Sequence, residues 1–137
     1  MNAKKPRVPC PFCGGEPKTA VAKYCSQQCQ LDYQWSIRKL YMEKLGLFVP
    51  SSQGTAAKRY LLEKHGHRCS ICKGDEWMGK PIPLILDHID GNYENWLIEN
   101  CRMICANCDF QTPTFKNKNK GNGRHARRMR YKAGKSY

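Results

Sequence analysis

The spacing of the cysteines constrains this chain more than any other feature. They stand at Cys10, Cys13, Cys25, Cys29, Cys69, Cys72, Cys101, Cys105 and Cys108, and six of them belong to C-x-x-C pairs. Two residues between thiols let both sulfurs reach one tetrahedral ion, so paired knuckles of this kind suit zinc. A disulfide framework suits the odd count less well. Residues Met1-Asn2-Ala3-Lys4-Lys5-Pro6 run into a cysteine pair where a signal peptide would carry its apolar segment, and no stretch reaches the apolar length of a membrane span. A reduced, cytoplasmic protein is expected. With 137 residues the chain can make one ordinary domain or two small ones that need help to stay folded, and zinc is that help.

The formal charge of +13 is unevenly placed. Asp109 is the last acid, and nine Lys or Arg follow it from Lys116 to Lys135, which leaves only +4 on residues 1–109. Four thiolates around each of two zinc ions would lower the folded total to about +9. A balance this basic favours a polyanion, most simply nucleic acid, and no lipid-facing stripe accompanies the tail, so no membrane partner is expected. Lys116, Lys118, Lys120, Arg124, Arg127, Arg128 and Arg130 are the candidate phosphate contacts.

Residues 8–29 form a first cysteine-framed unit, with Gly14-Gly15 supplying the turn after its knuckle. Leu31, Trp35, Leu40 and Leu45 then give helical spacing over 30–44, with Gly46 as C-cap; Tyr33, Trp35 and Tyr41 are expected as core. A connector follows, then a second helix from Thr55 to His65 stopped by Gly66. His65 and His67 suit capping or solvent better than zinc. Beyond them the spacing predicts a knuckle at 69–72, a strand over 82–89, a polar turn at Asp90-Gly91-Asn92, a short strand over 102–104 and a helix opening near Cys105. The apolar run Pro83-Leu84-Ile85-Leu86 predicts a strand covered on both faces, and Cys101 a small buried residue. Residues 121–137, basic and poor in large aliphatics, predict disorder without a partner.

Cys69, Cys72, Cys105 and Cys108 make a second four-sulfur set, as Cys10, Cys13, Cys25 and Cys29 make a first. A closed site of four cysteines is structural, and zinc association of about 10–16 kcal/mol is large against a domain's net stability. Between the pairs of the second set lies Leu86-Asp87-His88-Ile89-Asp90-Gly91-Asn92, followed by Glu99-Asn100 and, directly after the last cysteine, Asp109. Over residues 67–120 this pattern resembles the HNH (ββα-metal) nuclease signature in its zinc-bearing phage and mobile-element type, which also brackets its motif with two C-x-x-C pairs. The N-terminal unit resembles treble-clef zinc modules in general.

The resemblance implies that Asp87 and Asp109 ligate a catalytic divalent metal, that His88 deprotonates the attacking water, and that Asn100 orients the His88 ring through the backbone. Asn95 is the alternative for that central Asn. Asp109 stands where the family more often carries His or Asn, and two carboxylates offer hard oxygens suited to Mg2+ or Mn2+. Independently of the family, phosphodiester hydrolysis needs a base near neutrality, which an imidazole supplies, and charge neutralisation at phosphorus, which a metal supplies. Neighbours on a strand point to opposite faces, so Asp87 and His88 can share a site only if the strand end bends. Asp90 and Asn92 are set aside as turn formers.

The expected architecture is α+β and zinc-stabilised: an N-terminal treble-clef-like zinc module with a helix (1–46), a connector and helix (47–66), a ββα-metal HNH core (67–120) and a basic flexible tail (121–137). The expected function is metal-dependent endonucleolytic hydrolysis of DNA, as nicks or as double-strand cleavage by a dimer, in a host cytoplasm if the gene is a phage's or a mobile element's. Two structural Zn2+ and one catalytic Mg2+ or Mn2+ are implied. The rival is a non-catalytic zinc-containing nucleic-acid-binding protein, or an adaptor whose N-terminal zinc module recruits a protein partner.

Overall fold

The computed structural model describes residues 5–49, 53–116 and 124–135. The chain separates into two compact units, Met1–Leu45 and Gly46–Tyr137. Helices are mixed with two small antiparallel sheets.

In the first unit the Cys10–Cys13 knuckle closes on itself. Gly14 N–H donates to the Cys10 carbonyl (2.8 Å) and Cys10 N–H to that of Gly15 (2.9 Å). Gly14 takes a φ of +74°, where a side chain would be strained. Helix α1 spans Gln27–Leu45. It starts earlier than the apolar spacing indicates, because the Ser26 hydroxyl accepts the Cys29 N–H (3.1 Å) as an N-cap. Gly46 ends it at a φ of +69°. Met42 is the buried residue of α1 and Tyr41 is exposed, so the expected aromatic core along this helix does not include Tyr41.

The second unit is built on a hairpin. Helix α2 (Gln53–His65) buries Ala56, Ala57, Tyr60 and Leu61, and Tyr60 meets Phe48 edge-on at 5.5 Å between ring centroids. A two-residue ribbon follows, β1 (Glu76–Trp77) with β2 (Lys80–Pro81). Its turn residues Met78 and Gly79 both have positive φ (52° and 74°), the conformation of a tight hairpin, but Met-Gly lacks the Asn-Gly chemistry that would reveal it beforehand. Strand β3 (Leu84–His88) pairs antiparallel with β4 (Cys101–Cys105), Leu84 opposite Cys105 at one end and His88 opposite Cys101 at the other. Helix α3 (Ala106–Gln111) follows directly, and both α2 and α3 pack on the two strands.

Cys69, Ile82, Ile104 and Cys105 form a core cluster, with Leu84 and Cys108 against it. Strand β3 is only half-buried and Ile85 is exposed, contrary to the expectation of cover on both faces. A two-stranded sheet has no inner strand to cover, so a continuous apolar run need not mean two buried faces. Cys101 is buried in β4 as expected.

Of the tail expected to be disordered, residues 121–123 and 136–137 lie outside the described residues, and the part between them contains a helix. Helix α4 occupies Arg124–Lys132. Gly134, at a φ of +68°, donates to the Tyr131 carbonyl and Lys135 to that of Arg130 (both 3.0 Å), which is a Schellman cap. Arg, Ala, Met and Lys are good helix formers, and composition alone hid that signal. Among the described residues no helix is long and apolar enough to cross a membrane.

Candidate zinc and nuclease sites

Both four-cysteine sets converge. The sulfurs of Cys10, Cys13, Cys25 and Cys29 all lie within 4.8 Å of one another, as do those of Cys69, Cys72, Cys105 and Cys108. Zinc with sulfur ligands at about 2.3 Å requires tetrahedral edges of about 3.8 Å. The Cys72–Cys105 separation is 3.8 Å, and the first set shows 3.3, 3.4 and 3.6 Å. The second knuckle repeats the first: Lys73, at a φ of 64°, donates to the Cys69 carbonyl (3.0 Å), and Cys69 N–H donates to that of Gly74 (2.8 Å). A Cβ on Gly15 would meet the Cys13 sulfur at 3.3 Å, and one on Gly74 the Cys72 sulfur at 3.5 Å.

The thiols share a charge problem that a dication solves. Burial pushes Cys69 up, but backbone N–H groups of Cys105, Cys72 and Ile71 bring it down to about 6. Burial and the neighbouring sulfurs of Cys105, Cys69 and Cys72 push Cys108 up to about 12. Cys10, at about 6, and Cys25, at about 12, repeat the contrast in the first unit. The donor sets therefore fit structural zinc at both places.

The far end of the hairpin carries the second constellation. Asp87 sits opposite Arg102, whose Nε donates to Asp87 Oδ2 at 2.8 Å. His88 ends β3, half-buried, with its ring edge-on to Trp96 at 4.7 Å. Its Nε2 is buried without a hydrogen-bond partner among the described residues. Burial pushes the imidazole below its ordinary value, and the charges of Asp90 and Asp87 pull it partly back. Asp109 lies in the first turn of α3, held above the usual carboxylate range by burial and then by the Asp87 charge, with Lys116 opposing. The Asp87 charge reaches Asp109, the two carboxylates offer hard oxygens of the kind that suit a divalent cation, and Arg102 contacts Asp87 Oδ2.

Asn100 directs its hydrogen bonds to the loop after His88. Its Nδ2 donates to Asp90 Oδ1 (2.9 Å) and to the Asn95 carbonyl (3.0 Å), its Oδ1 accepts the Asp90 N–H (3.2 Å), and its carbonyl accepts the Ile89 N–H (2.9 Å). Asn95 Nδ2 donates to Asp90 Oδ2 at 2.6 Å. Burial works against the Asp90 charge, but the amides of Asn95 and Asn100 and the Asn92 N–H outweigh it and hold its carboxyl low. Asn100 and Asn95, weighed as alternatives, thus grip one loop together.

Over 55 residues, 40% of its length, the chain is 46% identical to H-N-H endonuclease F-TflIV of Escherichia phage T5. The chain is similar to an H-N-H endonuclease. The match spans 24% of that relative's length. No family model and no solved structure matches the chain. The HNH resemblance read from the residues around His88 is therefore borne out by a named relative.

Of the HNH-type positions, Asp87 acts through its charge on both His88 and Asp109, and Asn100 is bonded to Asp90 in the loop after His88. Arg102 and Trp96 were missed: Arg102 is announced only by its register opposite Asp87, which spacing along the chain does not reveal. Of the basic candidates, Lys118 and Lys120 lie outside the described residues, and Arg124 is described in backbone only. Lys116 stacks over Phe115 at 4.9 Å and Phe110 at 5.7 Å, beside Asp109. Arg127 and Arg130 contact the loop before Asn95, and Arg128 is exposed.

Proposed function

We propose that the second unit is a metal-dependent DNA endonuclease of phage or mobile-element type, hydrolysing phosphodiester bonds as nicks, or as breaks when two copies act. The observation that carries the reading is a buried imidazole with an unsatisfied nitrogen, next in sequence to Asp87, whose charge acts on both His88 and Asp109. A buried polar atom left unpaired costs about 1–3 kcal/mol, so a site retains one where water or substrate completes it. Asp87 and Asp109 would hold Mg2+ or Mn2+, which supplies charge neutralisation at phosphorus and at the leaving oxygen. His88, kept neutral by burial, takes the proton of a water whose oxygen attacks phosphorus as the bond to the departing sugar oxygen breaks. Arg102 and the Asn95–Asn100 grip hold Asp87 and the strand end in place.

Supercoiled plasmid incubated with zinc-loaded protein and Mg2+ or Mn2+ tests this. Open-circular or linear product from wild type and none from His88→Ala is expected. Intact plasmid at every metal, with the folded protein still binding DNA, would leave the non-catalytic binding module as the reading.

A further inference from the structure

We infer that α4 is a clamped arm with two faces, one fastened to the loop beside His88 and the other, carrying Arg128 and Lys132, built to contact nucleic-acid phosphates. The inference rests on the nuclease reading for its biological setting and is tested apart from it. Arg127 lies with its guanidinium carbon 5.0 Å from the Tyr93 ring and 5.3 Å from that of Tyr131, and donates to the Tyr131 hydroxyl at 3.3 Å. Arg130 donates to the Tyr93 hydroxyl at 3.4 Å and pairs with Glu94 at 3.6 Å. Tyr93 in turn donates to Glu94 Oε1 at 2.6 Å. Each contact is modest alone, but together they fix two arginines on one dipeptide of the loop.

Helical geometry then divides the basic residues. At about 100° per residue, Arg127, Arg130 and Tyr131 share one side of α4, while Arg128 and Lys132 fall about 100–140° round from Arg127. Both are exposed, and neither has an ion-pair or hydrogen-bond partner among the described residues. Arg130 shares its charge with Glu94 and Arg127 is drawn toward two tyrosine rings, so both are held toward the loop, whereas Arg128 and Lys132 are not. The loop that grips α4 through Tyr93 and Glu94 is the one that Asp90, Asn95 and Asn100 stitch to the end of β3. A strand held by Arg128 and Lys132 therefore sits at a fixed offset from His88, which a flexible tether could not achieve.

The test is the salt dependence of duplex DNA binding by the zinc-loaded full chain with no divalent metal added, followed by fluorescence anisotropy between about 50 and 200 mM salt. Each phosphate contact contributes about 0.9 to the slope of log affinity against log salt, so Arg128→Ala with Lys132→Ala is expected to lower the slope by about 1.8. Arg127→Ala with Arg130→Ala is expected to leave the slope nearly unchanged while weakening binding. Tyr93→Ala removes the clamp without removing charge, and faster hydrogen exchange of the α4 amides is expected at an unchanged slope. Equal slope losses from both arginine-containing pairs would make the arm an undifferentiated tether and overturn the inference, as would α4 amides indifferent to Tyr93→Ala. Wild-type binding to anionic vesicles but not to DNA would overturn it together with the nuclease reading. The expected slopes alongside an uncleaved plasmid would sustain the arm and remove the nuclease.

Discussion

Replacing Arg102 with leucine tests whether a cation belongs between Asp87 and Asp109. The Arg102 side chain is 24% exposed and that of Asp87 11%, so the pair lies between a surface ion pair and a buried one. Breaking a buried pair costs about 3–5 kcal/mol and an exposed one about 0–1 kcal/mol. About 2 kcal/mol is expected here, a fall in Tm of about 8–16 °C for a unit of this size. The loss arises because Asp87, stripped of its guanidinium, faces Asp109 with nothing between them. Mn2+ at about a hundredfold over its dissociation constant returns about 2.7 kcal/mol to a protein that binds it only when folded. Thermal unfolding of the zinc-loaded protein should therefore show a larger Mn2+-induced rise for Arg102→Leu than for wild type, where Arg102 already occupies Oδ2. Adding Asp87→Asn should restore stability to Arg102→Leu and abolish the Mn2+ response. If neither protein gains from Mn2+, the two carboxylates are not a metal site, and an equal gain in both would show that Arg102 does not compete with the metal.

Further outcomes follow from the same geometry. Cys69→Ser should cost one of two zinc ions by elemental analysis and unfold the second unit by circular dichroism, whereas Cys101→Ser, at a buried thiol outside both sets, should keep both ions. In protein free of added divalent metal, the His88 ring should titrate by NMR below the ordinary value of about 6.5, because burial favours its neutral form. The sign follows: the unfolded chain binds the proton more readily, so this contribution to stability is complete above about pH 6.5 and is lost as pH falls toward the folded value. Asn100→Ala should cost about 1–3 kcal/mol, through the unsatisfied Asp90 carboxylate and Asn95 carbonyl, and should speed hydrogen exchange at Asp90 and Ile89 more than in α2.

Much of this molecule is legible along the chain because its decisive signals are local. A C-x-x-C pair followed by glycine within two positions fixes a knuckle without help from distant residues, and Gly46 and Gly66 stop their helices by their own backbone conformation. Asp87-His88 and Asp109 could be named because, between and after the cysteine pairs, they match the HNH signature. What stayed hidden depends on pairing across the hairpin or between segments. Arg102 acquires meaning only opposite Asp87, and α4 only when Tyr93 and Glu94 receive it. The β1–β2 ribbon escaped because Met78 adopts a positive φ that its chemistry does not advertise.

The second zinc site and the proposed nuclease constellation are mechanically one object. Five-residue strands in a two-stranded sheet are marginal in water, and the core cluster under this hairpin is itself composed partly of zinc ligands. Leu84 faces Cys105 at the metal end, and four register steps along the same ribbon His88 faces Cys101. Asp109 directly follows the ligand Cys108, so the helix turn that delivers a sulfur to zinc also delivers the carboxylate toward Asp87. Stability and site geometry therefore cannot be varied independently here. A thiolate substitution at Cys108 reaches the Asp109 carboxylate through α3.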